Sequence, residues 1–261
     1  MDDFLILKGN INHSVCRWCY DGLSLEALCT EAKILGIKSI DLVVPEDFEI
    51  LHKHKLDCGM VYGLPDAYGI EKCFNRTAHH NDLFEIYQDL IPVVSDAGFK
   101  NIICFSGNRE GLSDEKGLIN CQIGLKRIMP MAKKYNVNIV IELLNSYVDH
   151  PDYQCDHTEW AVELCKRVNN EHFKILYDIY HMQIMEGNII STIQKHYPYI
   201  GHYHTGGVPG RNEIDSTQEL NYEPIMKAIV KTGYTGYVAQ EFIPLKDPVK
   251  SLREAIILCD V

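Results

Sequence analysis

The sequence has no apolar run long enough to cross a bilayer. Its start, MDDFLILKGN, has neither a basic leader nor a long apolar segment, so no signal peptide is expected. A Lys/Arg-rich stretch is also missing. Lys plus Arg total 25 against 36 Asp plus Glu, a formal net charge of −11. Binders of phosphate backbones usually present a basic face. Nucleic acid and membrane are therefore not expected as partners. No GxGxxG follows an early strand; the first apolar segment runs instead into NHSVCRWC. That argues against a doubly wound dinucleotide-binding sheet. There is no low-complexity segment, no repeat and no linker rich in Pro, Gly or Ser, so residues 1–261 read as one domain. The ten cysteines have no regular spacing. The CxxC at Cys16 and Cys19 lacks the second CxxC or thioredoxin-like context that a zinc or redox role requires. A cytoplasmic protein with reduced thiols is expected.

What is present is alternation. Apolar residues make up 46% of the 261, enough for a large core. Expected strands are Ile6–Ile11, Ser39–Leu42, Leu56–Val61, Asn101–Phe105, Asn138–Ile141, Phe173–Tyr177, Ile200–Tyr203 and Tyr237–Gln240. Between them lie expected helices Ser24–Leu35, Pro45–Lys53, His79–Ala97, Asp114–Tyr135, Asp156–Val168, Gly187–His196, Tyr222–Lys231 and Pro248–Leu258. Ser24, Ser113 or Asp114, and Asn221 suit helix starts. Gly36 and Gly98 suit helix ends, where φ turns positive. Eight strands alternating with eight helices point to an α/β fold, a single (β/α)8 TIM barrel.

Chemistry in such barrels gathers where the strands end. In the second half, NIVIELLNS ends on Glu142, FKILYDIYH on Asp178, YIGHYHTGG on His204 and GYVAQEFIP on Glu241. One acidic strand end is commonly a helix cap or a rim residue. Four successive strands ending in Glu, Asp, His and Glu converge at one mouth. There three unpaired carboxylates would repel one another. A divalent cation, Mn, Mg, Co or Zn, relieves this, and oxygen plus imidazole ligands suit all four. Two glutamates about one metal also suggest a reaction. The cation stabilises an enediolate formed from an α-hydroxy carbonyl while Glu142 and Glu241 move the proton. His181 is placed to donate to a substrate oxygen or to a rim partner. Arg211, in the loop HTGGVPGRNEID, is placed to clamp a carboxylate or hydroxyl, or to pair with Glu213 or Asp215. Asn145 and Trp18 lie just beyond strand ends. Trp18 can stack on a sugar face.

Three stretches, LYDIYHMQIMEGN, GGVPGRNEID…ELNY and GYVAQEFIP, resemble the hydroxypyruvate isomerase branch of the xylose isomerase-like barrels. The Glu–Asp–His–Glu order is similar to that of the ketose 3-epimerases of the same superfamily. The resemblance implies that Glu142, Asp178, His204 and Glu241 ligate one divalent metal ion and that Glu142 and Glu241 are the acid/base pair. It places His181 and Arg211 against substrate oxygens; Asn145, Trp18 and Glu213 complete the expected substrate-contacting set. The substrate implied is a small sugar or keto acid, and a homo-oligomer is compatible. One departure is informative. The isomerase branch carries Gln where this chain has His204, as the epimerases do. Hydroxypyruvate isomerase, ketose 3-epimerase and an inosose dehydratase-like lyase therefore all remain open. An endonuclease IV-like nuclease is more remote, since it gathers several zincs on a DNA-binding face.

Overall fold

The computed structural model describes residues 4–261. Seven strands form one sheet: β1 (Asn12–Cys16), β2 (Ser39–Asp41), β3 (Asn101–Cys104), β4 (Asn138–Glu142), β5 (Phe173–Asp178), β6 (Ile200–Thr205) and β7 (Tyr237–Gln240). Their order is β2-β1-β7-β6-β5-β4-β3, and every neighbouring pair is parallel. Parallel neighbours need long crossovers, which helices supply. These are α1 (Leu25–Ile34), α2 (Phe48–His54), α3 (His80–Asp96), α4 (Asp114–Tyr135), α5 (Thr158–Val168), α6 (Ile179–Met185), α7 (Ile189–His196), α8 (Tyr222–Lys231) and α9 (Pro248–Cys259). With both faces covered, strands such as NIVIE can be apolar almost throughout. None of the helices among the described residues is long and apolar enough to cross a membrane.

The helix ends follow local chemistry. The Ser24 hydroxyl accepts from the Ala27 N–H and the Ser113 hydroxyl from that of Lys116. Gly36 and Gly98 take φ of +72° and +83° at the ends of α1 and α3. Asn221 precedes α8 but makes no side-chain cap bond.

Three expectations are corrected. Ile6–Ile11 is not a strand. Pairing with β7 begins at Asn12, Gly9 turns the chain at φ +82°, and Ile6 is 93% exposed. Leu56–Val61 is not a regular strand either, although it fills the gap between β2 and β3. Asp57 bridges Ser39, and Val61 bridges both Val43 and Ile102. The ladder breaks at Gly59, whose N–H goes to the Ser39 hydroxyl. A Cβ there would lie 2.5 Å from Asp41 Oδ1. The expected helix Gly187–His196 is preceded by a separate one, α6, which starts directly from β5.

Candidate functional site

Strands β4 to β7 lie side by side and deliver the mouth residues in sequence. Glu142 ends β4, Asp178 ends β5, His204 is next to last in β6, and Glu241 follows β7. Register sets Asp178 opposite His204 and His204 opposite Ala239. One ligand atom from each of Glu142, Asp178, His204 and Glu241 lies within 4.8 Å of the others, and all four side chains are buried. Asp178 has two duties. Its Oδ1 accepts from the His181 N–H at 3.0 Å, capping α6, while Oδ2 faces the cluster.

Arg211 reaches into this group. Its Nη2 lies 3.1 Å from Asp178 Oδ2 and 2.5 Å from Glu241 Oε2, and its Nε donates to the Glu241 carbonyl at 3.2 Å. The guanidinium sits 5.3 Å from the Trp18 ring and 5.1 Å from that of Tyr180. Trp18 donates its indole N–H to Glu241 Oε1 at 2.8 Å. His204 Nδ1 lies 2.7 Å from Glu241 Oε2 and 3.5 Å from Glu142 Oε1.

Burial shapes the charges. It raises the Glu142 carboxyl, with Glu241 nearby adding to the rise. It lifts Asp178 to about 8, against the pull of Arg211. Burial alone would raise Glu241 too, but Arg211 and His204 hold it well below the usual carboxylate range. His204 is displaced the other way. Burial opposes its charge, yet Cys16, Glu241 and Asp41 keep it well above an ordinary imidazole. Burial and then Arg211 push His181 well below its usual range, so its ring is neutral.

His181 is met by donors on both sides of its ring. The Asn145 backbone N–H points at Nδ1 at 3.1 Å. Arg211 Nη1 donates to Nε2, which faces the mouth, at 2.8 Å.

The donor set suits a divalent cation. Three carboxylates and an imidazole present atoms at one place. Buried Glu142 Oε1 has no hydrogen-bond partner in the protein, an orphaned acceptor that a cation would satisfy.

Behind His204 lies a further buried group that strand ends alone do not reveal. The fully buried Asp41 faces His202 Nε2 at 2.5 Å and His204 Nε2 at 3.3 Å. It also accepts from the Ser14 hydroxyl and, at 3.5 Å, from that of Ser39. Cys16 Sγ is 3.7 Å from His204 Nε2. The signal was present in HYH, which puts two imidazoles on one strand face, and in SID at the end of an early strand.

The remaining expected residues fall in different places. Asn145 turns away from the mouth. Its carbonyl oxygen caps the Val148 and Asp149 N–H groups and its amide nitrogen meets Asp149 and His181. It meets His181 at Nδ1, across the ring from Arg211. Glu213 is not brought to the cluster. Its Oε1 accepts from the Leu245 and Lys246 N–H groups and from the Ser251 hydroxyl, because the loop after β7 folds over it. Arg211 pairs with Asp178 and Glu241, not with Glu213 or Asp215. All ten cysteines are buried and free, Cys16 and Cys19 included.

A cavity of about 400 Å³ opens beside the cluster, reaching Glu142, Glu241, Arg211 and Trp18. A larger cleft of about 570 Å³ lies at the opposite end, where Asn12, Asn101 and Asn138 begin their strands. That is the end of a barrel that ordinarily serves stability.

The fold and mouth define an α/β barrel with a buried cluster of carboxylates and an imidazole at its strand ends. Residues 49–258 match the family model described as a xylose isomerase-like TIM barrel, and the chain belongs to that family. It is 33% identical over 258 residues to the hydroxypyruvate isomerase of Escherichia coli K12, a match covering 95% of this chain and 98% of that one. It is 33% identical over 113 residues to the 2-oxo-tetronate isomerase of Cupriavidus necator, covering 43% of each. Matches to vertebrate relatives, such as one from Xenopus laevis, likewise span under half of those proteins, 41% in that instance. Among solved structures, a Brucella melitensis protein described as an AP endonuclease of family 2 superposes with a TM-score of 0.84 at 21% identity, covering 93% of this chain and 97% of that one. At that identity the likeness speaks for the fold alone.

Proposed function

We propose that the protein is a metal-dependent isomerase of small α-hydroxy carbonyl compounds, hydroxypyruvate isomerase-like in its chemistry. The observation that carries this reading is that two buried glutamates, Glu142 and Glu241, both face His204 Nδ1 in one four-residue cluster. The near-full-length match to an isomerase supports it. A divalent cation held by Glu142, Asp178, His204 and Glu241 would stabilise the negative charge of an enediolate.

The residues divide the remaining work. Glu241, held low by Arg211 and His204, is the ready proton acceptor. Glu142, raised by burial, is suited to carry a proton and give it back. Return to the neighbouring carbon isomerises the substrate. Arg211 Nη1 donates to His181 Nε2 at the mouth, and a substrate oxygen that displaced this contact would accept from the guanidinium with His181 beside it. The Trp18 indole N–H steadies the Glu241 carboxylate. A ketose 3-epimerase is the second reading. It rests on the imidazole His204 among the ligating atoms, and it differs in that the proton returns to the opposite face of the same carbon.

The deciding experiment has two parts. Elemental analysis should find about one divalent ion per chain, lost in Asp178→Ala. Solvent-deuterium exchange into hydroxypyruvate and ketoses should fall about 10²–10⁴-fold in both Glu142→Gln and Glu241→Gln. Full exchange in either variant would refute the two-glutamate mechanism. About three zincs per chain would turn the argument toward a nuclease.

A further inference from the structure

The cavity beside the cluster has two unlike ends. Glu142, Glu241 and Arg211 make the reacting end. The other wall is mostly apolar, with Leu42, Ile70, Ile103, Phe105 and Leu144 beside Tyr62 and His150. Ile103, Phe105 and Leu144 are at most 3% exposed. Among the described lining residues the one permanent cation is Arg211, and it is already paired with Asp178 and Glu241.

The wall is held in place by the barrel itself. Ile103 is in β3, Phe105 follows it directly, and Leu144 stands two residues beyond Glu142. Leu42 follows β2 with φ +60°, a conformation that L side chains other than Asn and Asp seldom adopt. Its N–H is fixed to the Met60 carbonyl at 2.6 Å. The backbone therefore holds an unfavourable geometry that keeps this leucine on the cavity wall.

Size and chemistry exclude some occupants. The 400 Å³ falls within the roughly 300–1,000 Å³ range of ligand-enclosing sites. A three-carbon keto acid bound at the reacting end would leave most of the apolar wall facing water. A distal phosphate or carboxylate would be buried against Ile, Leu and Phe with no free cation to meet it. A chain of hydroxyls would lose most of its hydrogen bonds along the same wall, where the Tyr62 hydroxyl and the His150 ring are the polar exceptions.

We propose that the substrate is an α-hydroxy ketone longer than three carbons whose arm beyond the reacting centre is uncharged and poor in hydroxyls, packed against Leu42, Ile70, Ile103, Phe105 and Leu144. This rests on the isomerase or epimerase reading and narrows it to a substrate class. The wall selects through removal of apolar surface from water and not through hydrogen bonds. Trp18 and Tyr62 at the rim offer ring faces to the same C–H surface.

The test uses the metal-loaded full chain with four probes: hydroxypyruvate, a ketohexose, the corresponding 6-deoxyketohexose and the ketohexose 6-phosphate. Deuterium exchange and melting temperature are measured for each. The 6-deoxy compound should exceed the parent ketohexose in kcat/KM by about tenfold, and the phosphate and hydroxypyruvate by about 100-fold, the scale of discrimination in apolar pockets. It should also raise the melting temperature most. Ile70→Lys adds a cation to a partly exposed position on the wall. It should shrink the preference for the 6-deoxy compound over the phosphate by at least about tenfold. Hydroxypyruvate or the phosphate matching the deoxy compound in both measurements would overturn the proposal, as would an unchanged ratio in a folded Ile70→Lys. Absence of exchange with every probe would sink the isomerase reading itself. The order of melting shifts would still decide what the wall accepts.

Discussion

Asp41→Asn is the most informative single substitution, because it alters a group that touches no substrate. Asp41 is fully buried and faces two imidazoles, His202 at 2.5 Å and His204 at 3.3 Å. By accepting from His204 Nε2 it leaves Nδ1 aimed at Glu142 and Glu241, where the cation would sit. Asparagine keeps the volume and can keep its carbonyl toward the imidazoles, with the amide nitrogen toward the serine hydroxyls. What disappears is the charge. A hydrogen bond to a charged group contributes about 1 kcal/mol more than a neutral one. Of the two bonds that weaken, the one to His204 bears on the cation, so divalent-cation binding should lose about 1 kcal/mol, a factor of about five. Calorimetric titration of metal-stripped wild type and variant measures it, with thermal melts to confirm an intact fold. Ser14→Ala is the control. It removes a partner of Asp41 but not the charge, and should shift the affinity far less. A cation affinity within about twofold of wild type in a folded Asp41→Asn would refute the reasoning and leave Asp41 as a packing group.

The remaining predictions concern charge and burial. Arg211 compensates Asp178 and Glu241 directly. Arg211→Ala should destabilise the metal-free protein by about 3 kcal/mol, the low end for breaking a buried pair because Asp178 can take a proton. Melting should fall by roughly 6–12 °C. Adding a divalent cation should then raise the variant's melting point more than the wild type's; equal rises would show that the guanidinium and the cation do not share these carboxylates. His13 is buried with neither ring nitrogen hydrogen-bonded, and burial pushes it down to about 4 although Asp260 Oδ1, 3.9 Å from its Nε2, opposes the shift. Below the ordinary value of 6.5 the unfolded chain takes up a proton that the folded chain refuses until about pH 4. Stability should therefore fall as pH drops through that window. Between pH 7 and 5 wild type should lose about 2 kcal/mol more than His13→Leu in urea unfolding. Parallel pH profiles would refute the assignment.

The second half of the barrel was legible because its chemistry lies where regular strands stop. An apolar run closed by Glu142, Asp178 or Glu241 is visible in sequence, and several such ends in succession set a cluster apart from a lone cap. Asp178 was ambiguous between cap and ligand. The structure gives one oxygen to the cap of α6 and leaves the other facing the cluster. Glu213 was not legible. Its sequence neighbourhood is that of Arg211, but its partners come from the loop after β7 and from α9, about thirty residues on, and no local pattern encodes that closure. The first half hid its share for a related reason. Leu56–Val61 reads as a strand by composition, yet Gly59 breaks the ladder to pass over Asp41.

That break links the two halves. A side chain at position 59 would collide with Asp41, the carboxylate behind His204. The irregular edge between β2 and β3 thus makes room for a buried charge serving the opposite side of the barrel. The same edge supplies Leu42 and Tyr62 to the cavity wall. Regular strands β4 to β7 place the charged groups. The irregular segment shapes what lies beside them, and its specificity comes from packing that period and propensity do not predict. Residues at the strand ends therefore point to the reaction class, whereas the substrate has to be sought on the wall built by the half of the sequence that carries the fewest motifs.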